Sequence, residues 1–233
     1  MRKNSIIYLV LIVVSFLGLS QAFSEVNEHY EFKDKSFTTK ITVNERNIDT
    51  QYQFSDAQNG IYDSIEDKML RFTTTFKYIN NSGDWNASAF LGYFNYLNPV
   101  SWVTNFRFRT YYVQGSNHET LGSVKSNFYN SKLMSIQDSD KKTVAYTKVN
   151  SHNNTYTFLS NEDNPMVFAK LVKTGKNQWV LNVAKNNSVD DRLIKFTSTL
   201  IVKRNSIEQK KIDKKRAKLE SKLKSLEETY INF

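Results

Sequence analysis

The sequence predicts a mainly β fold wrapped around one apolar helix, and three observations carry the prediction. About a dozen short runs alternate apolar with polar residues, at the ~8–12-residue spacing of a sandwich or barrel. One helical stretch follows them that is too apolar to stand in water. The chain also holds 13 Tyr and 16 Phe among its 233 residues, enough aromatic surface for a sizeable core.

The first residues read as a secretory signal peptide spanning 1–22. Arg2 and Lys3 precede an apolar run from Ile6 to Leu19, and Ser20 and Ala22 place small residues at the −3 and −1 positions of a cleavage site. The run is short for a helix that spans a bilayer, which needs ~20 residues. Export to the periplasm or beyond is therefore expected. There is no cysteine, which removes disulfides, thiol catalysis, thiolate metal sites and a lipoprotein anchor.

Strands are expected from the pattern of each run. "HYEF" (29–32), "SFTTKITV" (36–43) and "TQYQFSD" (50–56) lead into Asn59-Gly60 and "IYDSI", a hairpin signal. "LRFTTTFKYI" (70–79) is rich in β-branched and aromatic residues. In "DWNASAFLGYF" (84–94), Trp85, Ala87, Ala89 and Leu91 share one face. In "NFRFRTYYV" (105–113), Phe106, Phe108 and Thr110 are expected inside, with Arg107, Arg109 and Tyr111 facing out. "LGSVKSNFYNSKLMSIQD" (121–138) reads as two strands about an Asn-rich turn. "KTVAYTKV", "NTYTFLS", "MVFAKLV" and "NQWVLNV" complete the series by residue 183.

The period then changes. Ser188 to Asp191 offers a helix cap with two acids in the first turn. Leu193, Ile194, Thr197, Leu200 and Ile201 form one stripe. The opposite face carries Phe196, Thr199 and a single charge, Lys195. A helix this apolar over 189–202 is expected to be enclosed by the strands of a domain covering 23–204. A second, charged helix is expected in a tail over 205–233. Its apolar residues Ile212, Leu219, Leu223, Leu226 and Tyr230 form a thin seam, interrupted at Lys215. The two heptads fall short of the three to four a coiled coil needs. Three readings fit this 206–230 helix: packing on the barrel, pairing with a protein partner, or lying on an anionic membrane surface.

Net charge is +9, but +5 belongs to 203–228 and +2 to the leader, leaving +2 for 23–202. A nucleic-acid-binding domain carries its positive charge across its body, so no nucleic-acid partner is expected. His29, His118 and His152 are dispersed and lack metal-ligand spacing. Asp138-Ser139-Asp140 reads as a turn. No nucleophile elbow, P-loop or dinucleotide fingerprint is present. The chain is expected not to be an enzyme and to use no cofactor. The candidate ligand-binding residues are Lys125, Asn127 and Lys132, where two lysines bracket a turn; on an otherwise ordinary strand pair they can also be solvent-facing.

Two stretches resemble the tubby C-terminal-like superfamily, which includes tubby proteins, LURP-one-related proteins and phospholipid scramblases. "GSVKSNFYNSKLMSIQD" (122–138) is similar to the tubby segment GKLRSNFLGTKFTIYD, with Gly122, Ser126, Asn127, Phe128 and Lys132 in matching places and Lys125 at an arginine position. Asp190-Asp191-Arg192-Leu193-Ile194 is similar to the LURP-one helix opening. The resemblance implies a closed antiparallel barrel of about twelve strands around a central hydrophobic helix. It also implies an anionic phospholipid headgroup as ligand, met by a basic pair of which only Lys125 keeps its charge, since Ser123 stands at the other position. The expected function is an exported, non-enzymatic binding module recognising such a headgroup or a protein partner. The alternatives are an outer-membrane β-barrel, a barrel with a substrate cavity, and a structural protein without a small ligand.

Overall fold

The computed structural model describes residues 35–46, 49–56, 60–70, 73–91, 109–126, 133–150, 154–185 and 187–231. Residues 1–22, read above as a signal peptide, "HYEF", Phe106, Arg107, Phe108, Asn127, Lys132, His29 and His152 lie outside them.

Twelve strands are described: β1 (Lys35–Glu45), β2 (Asp49–Asp56), β3 (Gly60–Leu70), β4 (Thr73–Asn80), β5 (Trp85–Leu91), β6 (Thr110–Gly115), β7 (Thr120–Ser126), β8 (Met134–Gln137), β9 (Thr143–Asn150), β10 (Thr155–Ser160), β11 (Val167–Gly175) and β12 (Gln178–Ala184). Each pairs antiparallel with the next, and β1 pairs with β12, so the sheet closes into a barrel. Closure removes the unpaired edges that an open sheet exposes. One helix, α1 (Asp191–Ile231), completes the fold.

The period-2 pattern sorts side chains as expected. Ile41, Val43, Tyr52, Phe54, Ile65, Phe76 and Tyr78 on β1–β4 are buried, as are Leu171, Trp179, Leu181 and Val183 on β11 and β12. Every residue of α1 from Leu193 to Val202 is also buried, so the helix fills the lumen. Burial of a large apolar side chain is worth about 1.5–3 kcal/mol, which makes this helix the organiser of the core. Its hydroxyls cause no penalty, because Thr197, Ser198 and Thr199 each donate to the carbonyl four residues back, at 2.7, 2.8 and 2.9 Å.

Two expectations are corrected. First, the two helices are one. Lys203, Arg204 and Asn205 join them without glycine or proline, so nothing interrupts the backbone ladder. Second, Tyr111 faces inward. It is 3% exposed and meets Phe76 edge to face, ring centroids 5.7 Å apart. Tyr112 takes the outward position. In an aromatic pair such as Tyr111-Tyr112, alternation reads equally well in either phase, and the lumen chose the other one.

The two mouths of the barrel differ. At the cap end, Asp190 accepts a hydrogen bond from the Arg192 backbone N–H at 2.8 Å and so caps α1. At the exit end α1 leaves the lumen beside Asn205, whose amide donates to the Tyr156 hydroxyl at 2.8 Å and to the Ile201 carbonyl at 2.9 Å. From Ser206 to Ile231 the helix runs about 39 Å further at ~1.5 Å per residue.

Candidate functional site

Lys125 stands on β7 with Thr110 of β6 and Ser135 of β8 as its ladder neighbours. It is half-buried and points outward, since Val124, one residue before, is fully enclosed. Both neighbours carry hydroxyls, and among the described residues no carboxylate pairs with this lysine. Asn127 and Lys132 follow in the connection to β8, outside the described residues.

Two residues of the same stretch have structural roles. Gly122 has φ of 145°, and a Cβ there would fall on the Gln137 carbonyl oxygen of the neighbouring strand; only glycine permits that approach. The Ser126 hydroxyl accepts from the Arg109 backbone N–H at 2.8 Å, and Ser126 N–H donates to the Arg109 carbonyl at 2.9 Å. Ser126 thereby ties Arg109 to the end of β7.

Arg109 is half-buried. Its guanidinium donates to the Tyr111 hydroxyl at 3.5 Å. Arg204 of α1 comes within charge range of both. Burial first, and the Arg109 cation after it, hold the Arg204 guanidinium below its ordinary pKa. Several cations thus gather where α1 leaves the barrel: Arg109, Lys125, Lys173, Lys176 and Arg204. The turns of the opposite mouth carry Asp84, Glu119, Asp138, Asp140, Glu162 and Asp163. A nearly neutral barrel is therefore electrically polarised along its axis. Antiparallel strands place successive turns at alternate ends, so a charge pattern that looks mixed along the chain becomes sorted in space.

Inside the barrel lies a buried ionic cluster that the sequence reading missed. The Lys195 ammonium donates to Asp63 Oδ2 at 2.5 Å and to the Tyr78 hydroxyl at 2.8 Å, while Tyr78 donates to the same carboxylate at 2.5 Å. The rings of Phe37, Phe54, Tyr62 and Tyr78 surround the ammonium at 5.1–5.8 Å. Burial, then the hydrogen bond to Asp63, pushes the Tyr78 hydroxyl well above its ordinary pKa. Two turns further along, Lys203 meets Asp67 at 2.6 Å over the face of Phe76. Burial, then Asp67, raises the Tyr52 hydroxyl. The signal for this cluster was present: Asp63 and Asp67 alternate with Ile65 on one face of a strand, and two lysines sit eight residues apart on a helix.

At the cap end an open crevice is lined by Tyr78, Asn86, Lys185, Asn187, Asp190 and Arg192. Across it, Arg192 reaches Asp190 at 2.7 Å and Glu119 at 3.2 Å. Among the described residues no three metal-ligating side chains converge.

No family model matches the chain, and no curated protein matches it. Among solved structures, the chain is similar to a protein from Arabidopsis thaliana, at 12% identity over 74% of this chain and 94% of that one, with a TM-score of 0.49.

Proposed function

We propose that the chain is a non-enzymatic binding module on a tubby-like barrel, exported by way of residues 1–22, whose ligand is an anionic phospholipid headgroup. The headgroup meets the exit end of the β7 wall at Lys125, with Asn127 and Lys132 supplying the adjoining contacts. The observation that carries this reading is the setting of Lys125: a half-buried, outward cation with Ser135 of β8 beside it and no carboxylate partner among the described residues. An ammonium with a hydroxyl beside it suits a phosphate.

Two further observations support it. The lumen is packed by α1, which leaves no room in the described interior for a substrate cavity. The outer wall carries Lys40, Glu66, Lys77 and Lys148, where a bilayer-spanning barrel presents an apolar band. That favours a barrel beside the membrane over one inserted in it.

Flotation with vesicles of phosphatidylcholine, with and without phosphatidylglycerol, tests the reading. Lys125→Ala and Lys132→Ala should each weaken binding to the anionic vesicles about fivefold, the ~1 kcal/mol that one lysine adds near such a surface. Unchanged binding by the double variant would remove the assigned site.

A further inference from the structure

We propose that the outer wall of β9 to β12 carries an anion site, in which Lys148, Thr157, Lys170 and Asn182 form one lateral row of donors for a phosphate group. The site is separate from the Lys125 wall and does not depend on that reading.

The register builds the row. Thr157 of β10 is the ladder partner of Lys148 on β9 and of Lys170 on β11. Lys170 in turn stands opposite Asn182 of β12. Tyr156, Phe158, Ala169, Leu171, Leu181 and Val183 on either side of the row are buried, so by the period of two the row faces outward. Adjacent strands lie ~4.8 Å apart, which places the two lysine Cα atoms about 10 Å from each other with a hydroxyl between them. The flexible lysine stems span that gap, so both ammonium groups can meet one anion above Thr157.

The row offers donors without acceptors to quench them. Among the described residues, Lys148 and Lys170 form no ion pair and the Thr157 hydroxyl makes no hydrogen bond. The Asn182 carboxamide oxygen accepts from the Thr38 hydroxyl at 2.9 Å, which leaves its N–H groups to donate. No strand from β5 to β12 contains an aspartate or a glutamate.

The contrast with β3 and β4 shows what is missing. There Glu66 stands opposite Lys77 and meets Lys68 at 3.3 Å, so the sheet surface supplies its own counter-charge. The β9–β12 wall has two cations in register and no such partner. An external anion between the lysines supplies the charge that the wall lacks. A phosphate suits the row best, because its several oxygens can accept from two ammonium groups, a hydroxyl and an amide together. A carboxylate has two oxygens and would leave part of the row unanswered.

Calorimetric titration of the full chain with pyrophosphate tests the site, alongside flotation with phosphatidylcholine vesicles with and without phosphatidic acid. The parent chain should bind pyrophosphate. Lys148→Met/Lys170→Met should weaken that binding about tenfold or more, and Thr157→Val about threefold, as expected for charged and neutral donors. Lys40→Met/Lys77→Met removes the same charge from β1 and β4 and should cost less than about twofold, as isolated surface charges do. Lys125→Ala should leave pyrophosphate binding unchanged; a loss there would move the site to β7 and overturn this assignment. Flotation that Lys148→Met/Lys170→Met abolishes would identify the phosphate as lipid-borne. Pyrophosphate binding without flotation would identify a soluble phosphate compound, with the same site upheld. Equal losses in the two lysine pairs, or no pyrophosphate binding by the parent chain, would overturn the proposal.

Discussion

Lys195 and Asp63 meet at 2.5 Å inside the barrel, 132 residues apart in sequence. A second pair, Lys203 and Asp67, repeats the contact eight residues along α1 and four along β3. Eight helical residues rise about 12 Å, and four strand residues about 13 Å. The two rises match, so both pairs form only when the helix has one axial position and one rotation against β3. A helix that is apolar all round has little else to fix its register, and buried ion pairs are best attested in that specifying role.

Breaking the inner pair is expected to be costly. Lys195→Met leaves a buried carboxylate unpaired and should destabilise the fold by about 3–5 kcal/mol. Replacing the whole cluster, as Lys195→Met/Asp63→Leu/Tyr78→Phe, should restore most of the loss. Urea denaturation of the three proteins measures both steps. A single variant as stable as the parent would mean that the pair does not hold the helix.

Gly122→Ala should cost about 1–3 kcal/mol, the range for strained backbone, since the added methyl meets the Gln137 carbonyl at a φ of 145°. Gly60 also has positive φ, 70°, but opens on free space, so Gly60→Ala should cost about 1 kcal/mol. Thermal melts that rank the two the other way would contradict the described close approach of β7 and β8.

Asp190 gives the fold an acid-sensitive contact. Burial works against its charge, yet the hydrogen bonds and charge of Arg192 prevail and hold its carboxyl below the usual aspartate value. A group depressed in the folded state stabilises it above the unfolded-state pKa, and that contribution is lost as pH falls through the depressed value. Stability should therefore decline below about pH 4, and Asp190→Asn should flatten that decline. At neutral pH Asp190→Ala should cost about 1 kcal/mol as a lost cap. An unchanged acid limb in the asparagine variant would assign the decline to other carboxylates.

Trypsin should remove the projecting helix and stop at the barrel. Lys203 is bound to Asp67 in the lumen and Arg204 is half-buried, whereas Lys210 and Lys211 are exposed. Mass spectrometry of the resistant product should find an end at Lys210 or Lys211. A product ending at Arg204 would mean that α1 frays inside the mouth.

Most of the fold was legible because alternation and helical period are local signals. The strands from Lys35 to Ala184 follow the runs read from the sequence, and the apolar stretch around Phe196 is enclosed as expected. What escaped is what depends on partners distant in sequence. "IYDSI" was read as a strand without its inward Asp63, because a carboxylate is expected inside only once its lysine is known to face it. The boundary placed at residue 205 followed a change of composition, while the backbone continues as long as nothing breaks it. Of the candidate site, Lys125 lies where an outward strand residue should. The role of Gly122 needed the position of β8, and the polarisation between the two mouths needed the strand order.

The unbroken α1 also governs how the two parts of the molecule move. A flexible tether would let its far end sample a sphere of positions, with an effective concentration set by chain statistics. A rod bolted at Lys195 and Lys203 does not. Its axis keeps one bearing to the β7 wall, so the position of the barrel determines where the far end of the helix can reach.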